Sequence, residues 1–138
     1  MNDLLRFLEA QEDDFAIALS EIKSGRKESH WMWYIFPQIA GLGFSSTSIF
    51  YAIKDLAEAE EYLQHPVLGE RLIEISEVLL EIESKTAHEI FGSPDDMKLK
   101  SSMTLFAALK ETNPVFQTVL DKYFDGEKDV QTLQIIGN

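Results

Sequence analysis

The sequence from residue 65 to residue 84, HPVLGERLIEISEVLLEIES, carries the strongest periodic signal in the chain. Large aliphatic residues recur there at alternating intervals of four and three, at Leu68, Leu72, Ile75, Leu79 and Ile82. This spacing places them on one face of an α-helix, and that face must be buried against other helices. Pro66 favours a helix start, because a first turn does not need its missing N–H. The stretch therefore predicts a central amphipathic helix over about residues 66–84.

Helical periodicity also dominates the chain before this segment. Apolar residues four and three apart predict a helix over about residues 3–24, with Asp3 as its N-cap and Gly25 at its end. Gln11 lies on the apolar face of this helix, where it either hydrogen-bonds at the helix edge or points a polar head into a pocket. Asp55 is expected to begin a further helix that extends to about residue 64.

Shorter helices are expected between and after these. One covers about residues 29–35 and ends before Pro37, and another follows a cap at Ser45 or Ser46. TAHEIFGS is expected to form a short helix that is closed by Gly92. Ser93 should cap the next helix.

A last helix starts after Pro114 and ends near Gly126, and the tail DVQTLQIIGN is apolar enough to dock. No alternating strands, repeats or linkers interrupt the pattern. The sequence thus predicts one all-α domain over residues 1–138, with about six to eight helices of mixed length.

Composition excludes several classes of function. Lys and Arg number 12 against 24 Asp and Glu, and the net charge of −12 disfavours nucleic acid and anionic membranes as partners. The absence of cysteine excludes disulfides, thiolate catalysis and zinc–thiolate sites. No second histidine follows His88 at metal-binding spacing, so no metal site is predicted. With neither a signal-peptide pattern nor an apolar run of about 18 residues, a cytoplasmic location is expected.

The segment GRKESHWMWYIFPQ, residues 25–38, is the first candidate for a binding site. It contains both tryptophans, Trp31 and Trp33, directly after Arg26, Lys27 and His30. Aromatic rings beside cations suit a planar anionic ligand, whose ring stacks on indole while its phosphate or carboxylate meets the cations. The alternative is that the tryptophans anchor the core. If the protein is an enzyme, His30 is the best general acid–base candidate, since histidine exchanges protons near neutral pH.

Two later segments contain further candidates. The loop with Gln38, Gly41, Gly43 and Ser45 can bring backbone close to a ligand, although it matches neither a Walker nor a dinucleotide-binding motif, and a simple turn with a helix cap is the other interpretation. Within KLKSS, one helical face presents the side chains of Lys98, Ser101 and Ser102. A lysine can activate a serine nucleophile, but such spacing is common, and hydrogen bonding to a ligand or a neighbouring loop is the alternative.

Five segments together resemble the domain of unknown function 1810 family: FLEAQ, GRKESHWMWYIFPQIAGLGFSSTSIFYAI, EAEEYLQHPVLGERL, DDMKLKSSMTLF and DVQTL. The resemblance covers nearly the whole chain and implies a small, single-domain, all-helical bacterial protein without an established activity. It supplies no catalytic residues. Some bacterial members are labelled calpastatin, which does not fit this chain, because the animal calpain inhibitor is long and disordered.

The sequence therefore predicts a pocket in which the three candidate segments converge. The expected ligand is a small anionic metabolite, such as a nucleotide or another phosphorylated compound. The alternative is a protein-interaction or oligomerisation module without catalysis, in which the aromatic stretch forms the contact. The residues assign no reaction, cofactor or oligomeric state.

Overall fold

Nine α-helices account for most of the computed structural model, which describes residues 4–137. They are α1 Leu5–Lys23, α2 Met32–Ile35, α3 Ser46–Tyr51, α4 Leu56–Gln64, α5 Leu68–Glu81, α6 Ala87–Phe91, α7 Asp95–Ala107, α8 Val115–Phe124 and α9 Val130–Ile136. Within the described residues, the only β-type pairing is one parallel bridge between Ile39 and Ile53. The all-α prediction is confirmed. The helix count exceeds the predicted range, and the docked tail contributes α9.

Several helix ends follow from local sequence, as predicted. The Asp55 carboxylate accepts a hydrogen bond from the Glu58 amide at 2.9 Å and caps α4. A reciprocal capping box between Thr86 and Glu89 begins α6, and Gly92 ends it with a φ of 74°. The predicted N-cap of α1, Asp3, lies outside the described residues.

The predicted amphipathic helix is α5, which packs against α1, α4 and α8. It begins at Leu68 rather than Pro66, because Nδ1 of His65 accepts hydrogen bonds from the amides of Val67 and Leu68 at 3.1 and 3.3 Å. At the other end, the Lys122 ammonium donates to the carbonyl of Leu80 at 2.8 Å. A cation at the C-terminus of a helix stabilises its unpaired carbonyls.

Helix α7 is deeply buried in its second half. Leu99 and every residue from Ser101 to Phe106 are buried, and the helix contacts α4, α6, α8 and α9. The expected cap at Ser93 is wrong, since the N-terminal amide of Met97 instead donates to the Asp96 carboxylate at 2.8 Å. No helix in residues 4–137 is both long and apolar enough to cross a membrane.

The helix expected over residues 29–35 is shorter, since α2 begins at Met32. The physical reason is the Glu21 carboxylate on α1. It accepts hydrogen bonds from the backbone amides of Glu28 and Ser29 at 2.8 and 3.0 Å, which holds this part of the chain outside a helix. His30 therefore precedes α2 instead of lying within it.

Gln11 is buried in the core and fully used there. Its amide nitrogen donates to the carbonyl of Tyr34 at 2.7 Å and to the hydroxyl of Tyr62 at 2.9 Å, and its oxygen accepts from Arg71 at 3.3 Å. Of the two interpretations of this glutamine, hydrogen bonding within the fold is correct. The network connects α1, α2, α4 and α5.

Candidate functional site

Trp31 belongs to the core. Its side chain is only 1% exposed, and its ring centroid lies 6.3 Å from that of Phe36 and 6.4 Å from that of Phe91. The indole N–H donates to Oε1 of Glu21 at 2.9 Å, so the one polar atom of the buried ring has a partner. The core interpretation therefore holds for this tryptophan.

The Glu21 carboxylate organises the segment that leads to Trp31. Besides the indole and the two backbone amides, it accepts a hydrogen bond from the Ser29 hydroxyl at 2.5 Å. Burial alone would raise the pKa of Glu21, but the hydrogen bonds from Ser29, Glu28 and Trp31 outweigh it and lower the pKa to about 2. The ionised form is thus the one that the fold stabilises.

We expect Glu21→Ala to lower the free energy of unfolding by about 2–3 kcal/mol, because several charge-assisted hydrogen bonds lose their acceptor. Glu21→Gln keeps one acceptor oxygen and should lose less. Because the folded pKa is below the ordinary value of 4.5, the ionised carboxylate contributes stability above that pH and loses it as the pH falls toward about 2. Urea unfolding across this range should show the wild type and Glu21→Gln converging in acid; a constant difference would contradict the assignment.

Trp33, by contrast, is half-buried and lines a cleft of about 240 Å³, here called the apolar cleft. Its wall is formed by Trp33, Gln38, Ile39, Ala40, Gly41, Leu42, Gly43, Phe44, Ser48, Ile49, Tyr51 and Ala52. None of these side chains is charged. Such a wall suits the ring of a small ligand.

A second cleft of about 280 Å³, here called the Lys98 cleft, adjoins the first. It is lined by Gln38, Leu42, Gly43, Ser48, Pro94, Met97, Lys98, Ser101, Asp129 and Gln131. The two clefts share the wall of Gln38, Leu42, Gly43 and Ser48. The tail and α7 thus complete a site that begins on the loop before α3.

Lys98 lines the Lys98 cleft, and its ammonium lies close to Trp33, which lines the apolar cleft. The ammonium is 5.2 Å from the ring centroid of Trp33 and 3.6 Å from the Asp95 carboxylate. Lys27 pairs with the same carboxylate at 2.9 Å and also donates to the Ser29 carbonyl at 2.6 Å. The side chain of Lys27 is 8% exposed and that of Lys98 24%, so Lys98 is the more accessible cation for a ligand.

The two clefts unite one part of the predicted site and leave out the other. They bring together Trp33, Gln38, Gly41, Gly43, Lys98 and Ser101. They do not include Arg26, Lys27, His30, Trp31, Ser45 or Ser102. Arg26 and His30 are exposed, and Ser45 caps α3 by accepting from the Ser48 amide at 3.1 Å. Ser102 is buried, and its hydroxyl has no hydrogen-bond partner among residues 4–137.

The arrangement supplies binding groups without an assembled nucleophile. The Ser101 hydroxyl donates to the Met97 carbonyl at 3.2 Å, and no hydrogen bond joins it to Lys98 in the described part of the chain. His30, the predicted acid–base candidate, lines neither cleft. Among residues 4–137, no three His, Asp or Glu side chains cluster as a metal ion would require.

The loop that contains Gly41 and Gly43, before α3, is shaped by contacts within the protein. A Cβ on Gly43 would lie 2.6 Å from the Cβ of Ser48, which is closer than real side chains allow. Gly41 has a φ of 107°, a conformation that favours glycine. These glycines let the loop turn tightly against α3, and this turn gives the shared wall of the clefts its shape.

Several lining residues were not predicted from the sequence, notably Leu42, Ser48, Tyr51 and Asp129. One signal for the first three was available, because no residue from Trp31 to Ile53 carries a charge in a chain whose net charge is −12. An uncharged stretch that is only partly buried indicates a surface with another use. No comparable local signal indicates Asp129.

Fold and clefts together define a small all-helical domain with two adjoining clefts. The chain belongs to the family described as "Protein of unknown function (DUF1810)", whose model matches residues 1–136. It is similar to the conserved hypothetical protein Rv1873 from Mycobacterium tuberculosis, with 43% identity and a TM-score of 0.96. The similarity covers 99% of this chain and 97% of the other. No curated protein matches the sequence.

Proposed function

We propose that the protein binds a small planar anionic metabolite across the two clefts. The ring of the ligand occupies the apolar cleft beside Trp33, and its anionic group meets Lys98. The observation that carries the proposal is the ammonium of Lys98, a residue of the Lys98 cleft, 5.2 Å from the ring centroid of Trp33, which lines the adjoining uncharged cleft. An apolar wall with few convergent polar groups is typical of small-molecule sites.

The geometry supports binding more than catalysis. The cation is fixed by Asp95, which shares its carboxylate between Lys27 and Lys98. A ligand anion that approaches Lys98 therefore meets a charge that is already oriented, and little side-chain entropy has to be lost on binding. Lys98 is a binding residue in this proposal, and no reaction is assigned.

The test compares Lys98→Met with Lys110→Met, which removes an exposed lysine that lines neither cleft. Aromatic carboxylates and nucleoside monophosphates are titrated against each variant while the melting temperature is recorded. We expect Lys98→Met to weaken binding about 10- to 100-fold, because a charge-assisted contact is lost, and Lys110→Met to leave it unchanged. Equal affinity of both variants, or the absence of any saturable ligand, would refute the proposal.

A second function, self-association, is favoured by one observation. Phe44, Ile49 and Phe50 are 88, 64 and 57% exposed, and all three belong to the uncharged stretch from Trp31 to Ile53. Two copies of a chain with net charge −12 repel each other least where neither presents a charge. Sedimentation velocity at increasing concentration distinguishes this function, since a dimer that dissociates in a Phe44→Ser variant would support it and a monomer throughout would exclude it.

A further inference from the structure

Resting on the proposed function, we infer that the ligand class is a planar heterocycle with an amide-like edge and a single negative charge. The Gln38 carboxamide hydrogen-bonds to this edge, and the Lys98 ammonium pairs with the negative charge. Nucleotides and polyphosphates are the compounds that this site disfavours.

Gln38 is a residue that lines both clefts. Its backbone is held in place, since its carbonyl accepts from the Ile53 amide at 2.8 Å and the Ala40 amide donates to the Ile53 carbonyl at 2.8 Å. Within residues 4–137 its carboxamide makes no hydrogen bond. Gln11 uses its carboxamide for protein partners, and Gln131 lines only the Lys98 cleft, so Gln38 is the one glutamine among residues 4–137 that lines both clefts.

A carboxamide carries its hydrogen-bond donor and acceptor side by side. It presents one acceptor oxygen beside an NH₂ donor in the same plane. A cyclic amide or imide presents the complementary pair, an N–H beside a C=O, so both bonds can form at once. A site that offers such a pair penalises ligands lacking the matching edge, because the polar groups would be desolvated without partners.

The charges that line the clefts favour a ligand with a single negative charge. The apolar cleft has no charged residue, and the charged side chains that line the Lys98 cleft are Lys98 and Asp129, whose formal charges cancel. Asp95 lies 3.6 Å from the same ammonium. A monoanion can pair with Lys98, whereas each additional negative charge would face Asp95 and Asp129 without another accessible cation in either cleft.

The volumes of the two clefts limit the size of the ligand. Each cleft alone, at about 240 and 280 Å³, is smaller than the range of about 300–1,000 Å³ that is typical of sites for drug-sized ligands, so the ring occupies one cleft and the acidic substituent the other. One ring with one acidic substituent fits this space. Gln38 belongs to the wall that the two clefts share, so this one residue can contact both parts of such a ligand.

The experiment uses isothermal titration calorimetry with five probes. Orotate has the imide edge and one charge, uracil has the edge alone, and benzoate has the charge alone. Uridine monophosphate and uridine triphosphate have the edge with two or more charges. We expect orotate to bind at least about tenfold more tightly than each of the other four. In Gln38→Met, which keeps the side-chain length, the preference for orotate over benzoate should disappear while benzoate affinity stays within about twofold.

Other outcomes separate the two proposals. Tighter binding of either uridine phosphate, lost in Lys98→Met, would overturn the monoanion inference and leave the proposed function standing. Equal affinity for orotate and benzoate in the wild type, or an unchanged preference in Gln38→Met, would overturn the role of Gln38. Failure of all five probes to bind would overturn both the inference and the function on which it rests.

Discussion

Replacing Trp31 with alanine is expected to lower the free energy of unfolding by about 3–5 kcal/mol, the range for deleting a buried tryptophan. The side chain is 1% exposed and packs among the rings of Phe36 and Phe91. The deletion leaves a cavity and also removes the indole N–H from Glu21. Trp33→Ala should cost only about 1–2 kcal/mol, because that ring is half-buried at the cleft.

Urea unfolding of the two variants, followed by circular dichroism, measures this difference. Trp31→Phe and Trp33→Phe serve as controls, since each keeps an aromatic ring and leaves one tryptophan as the fluorophore. The emission of Trp31 should be blue-shifted, resistant to quenchers and insensitive to any ligand, whereas that of Trp33 should respond to quencher and ligand. Equal losses of stability in the two alanine variants would contradict the assignment of one tryptophan to the core and the other to the cleft.

Much of the fold follows from signals that act over a few residues. Asp55, Thr86 and Gly92 set helix ends because their side chains or backbone conformations satisfy neighbouring N–H and C=O groups. The four–three spacing of α5 is equally local, since one helix face must be buried whatever covers it. Such features can be predicted without knowing which segments meet.

Features that depend on distant contacts were predicted less well. The helix expected from residue 29 starts at Met32, because a carboxylate on another helix, Glu21, holds the preceding backbone. The complete burial of α7 between Ser101 and Phe106 was not predicted, because three of these six residues are polar. Their small side chains fit where neighbouring helices approach.

The candidate site shows the same division. Both tryptophans were recognised as unusual, but nothing within two residues distinguishes a core tryptophan from a cleft one. Six predicted residues meet in the clefts because the loop before α3 lies against α7 and the tail, and sequence spacing does not report that contact. The cations next to the tryptophans in sequence, Arg26, Lys27 and His30, line neither cleft. The cation beside Trp33 is Lys98, which is far from it in sequence.

Replacing Gly69 with alanine is the second large effect that we expect, a loss of about 3 kcal/mol or more in the free energy of unfolding. A Cβ at this position would lie 1.8 Å from the backbone oxygen of Leu63 and 2.7 Å from its carbonyl carbon. Backbone atoms cannot swing aside as a flexible side chain can, so α4 and α5 would have to separate.

Helix propensity predicts the opposite for this position, a gain in the free energy of unfolding. The sign of the measured change therefore distinguishes the two effects. Gly69 lies inside α5, where alanine is favoured over glycine by about 1 kcal/mol. Gly92→Ala is the matched control, because its φ of 74° disfavours alanine while no atom lies within 4 Å of the added Cβ. We expect Gly69→Ala to lose clearly more stability than Gly92→Ala in urea unfolding. A Gly69→Ala protein as stable as the wild type would mean that propensity outweighs packing and that the last turn of α4 does not touch α5 as closely as described.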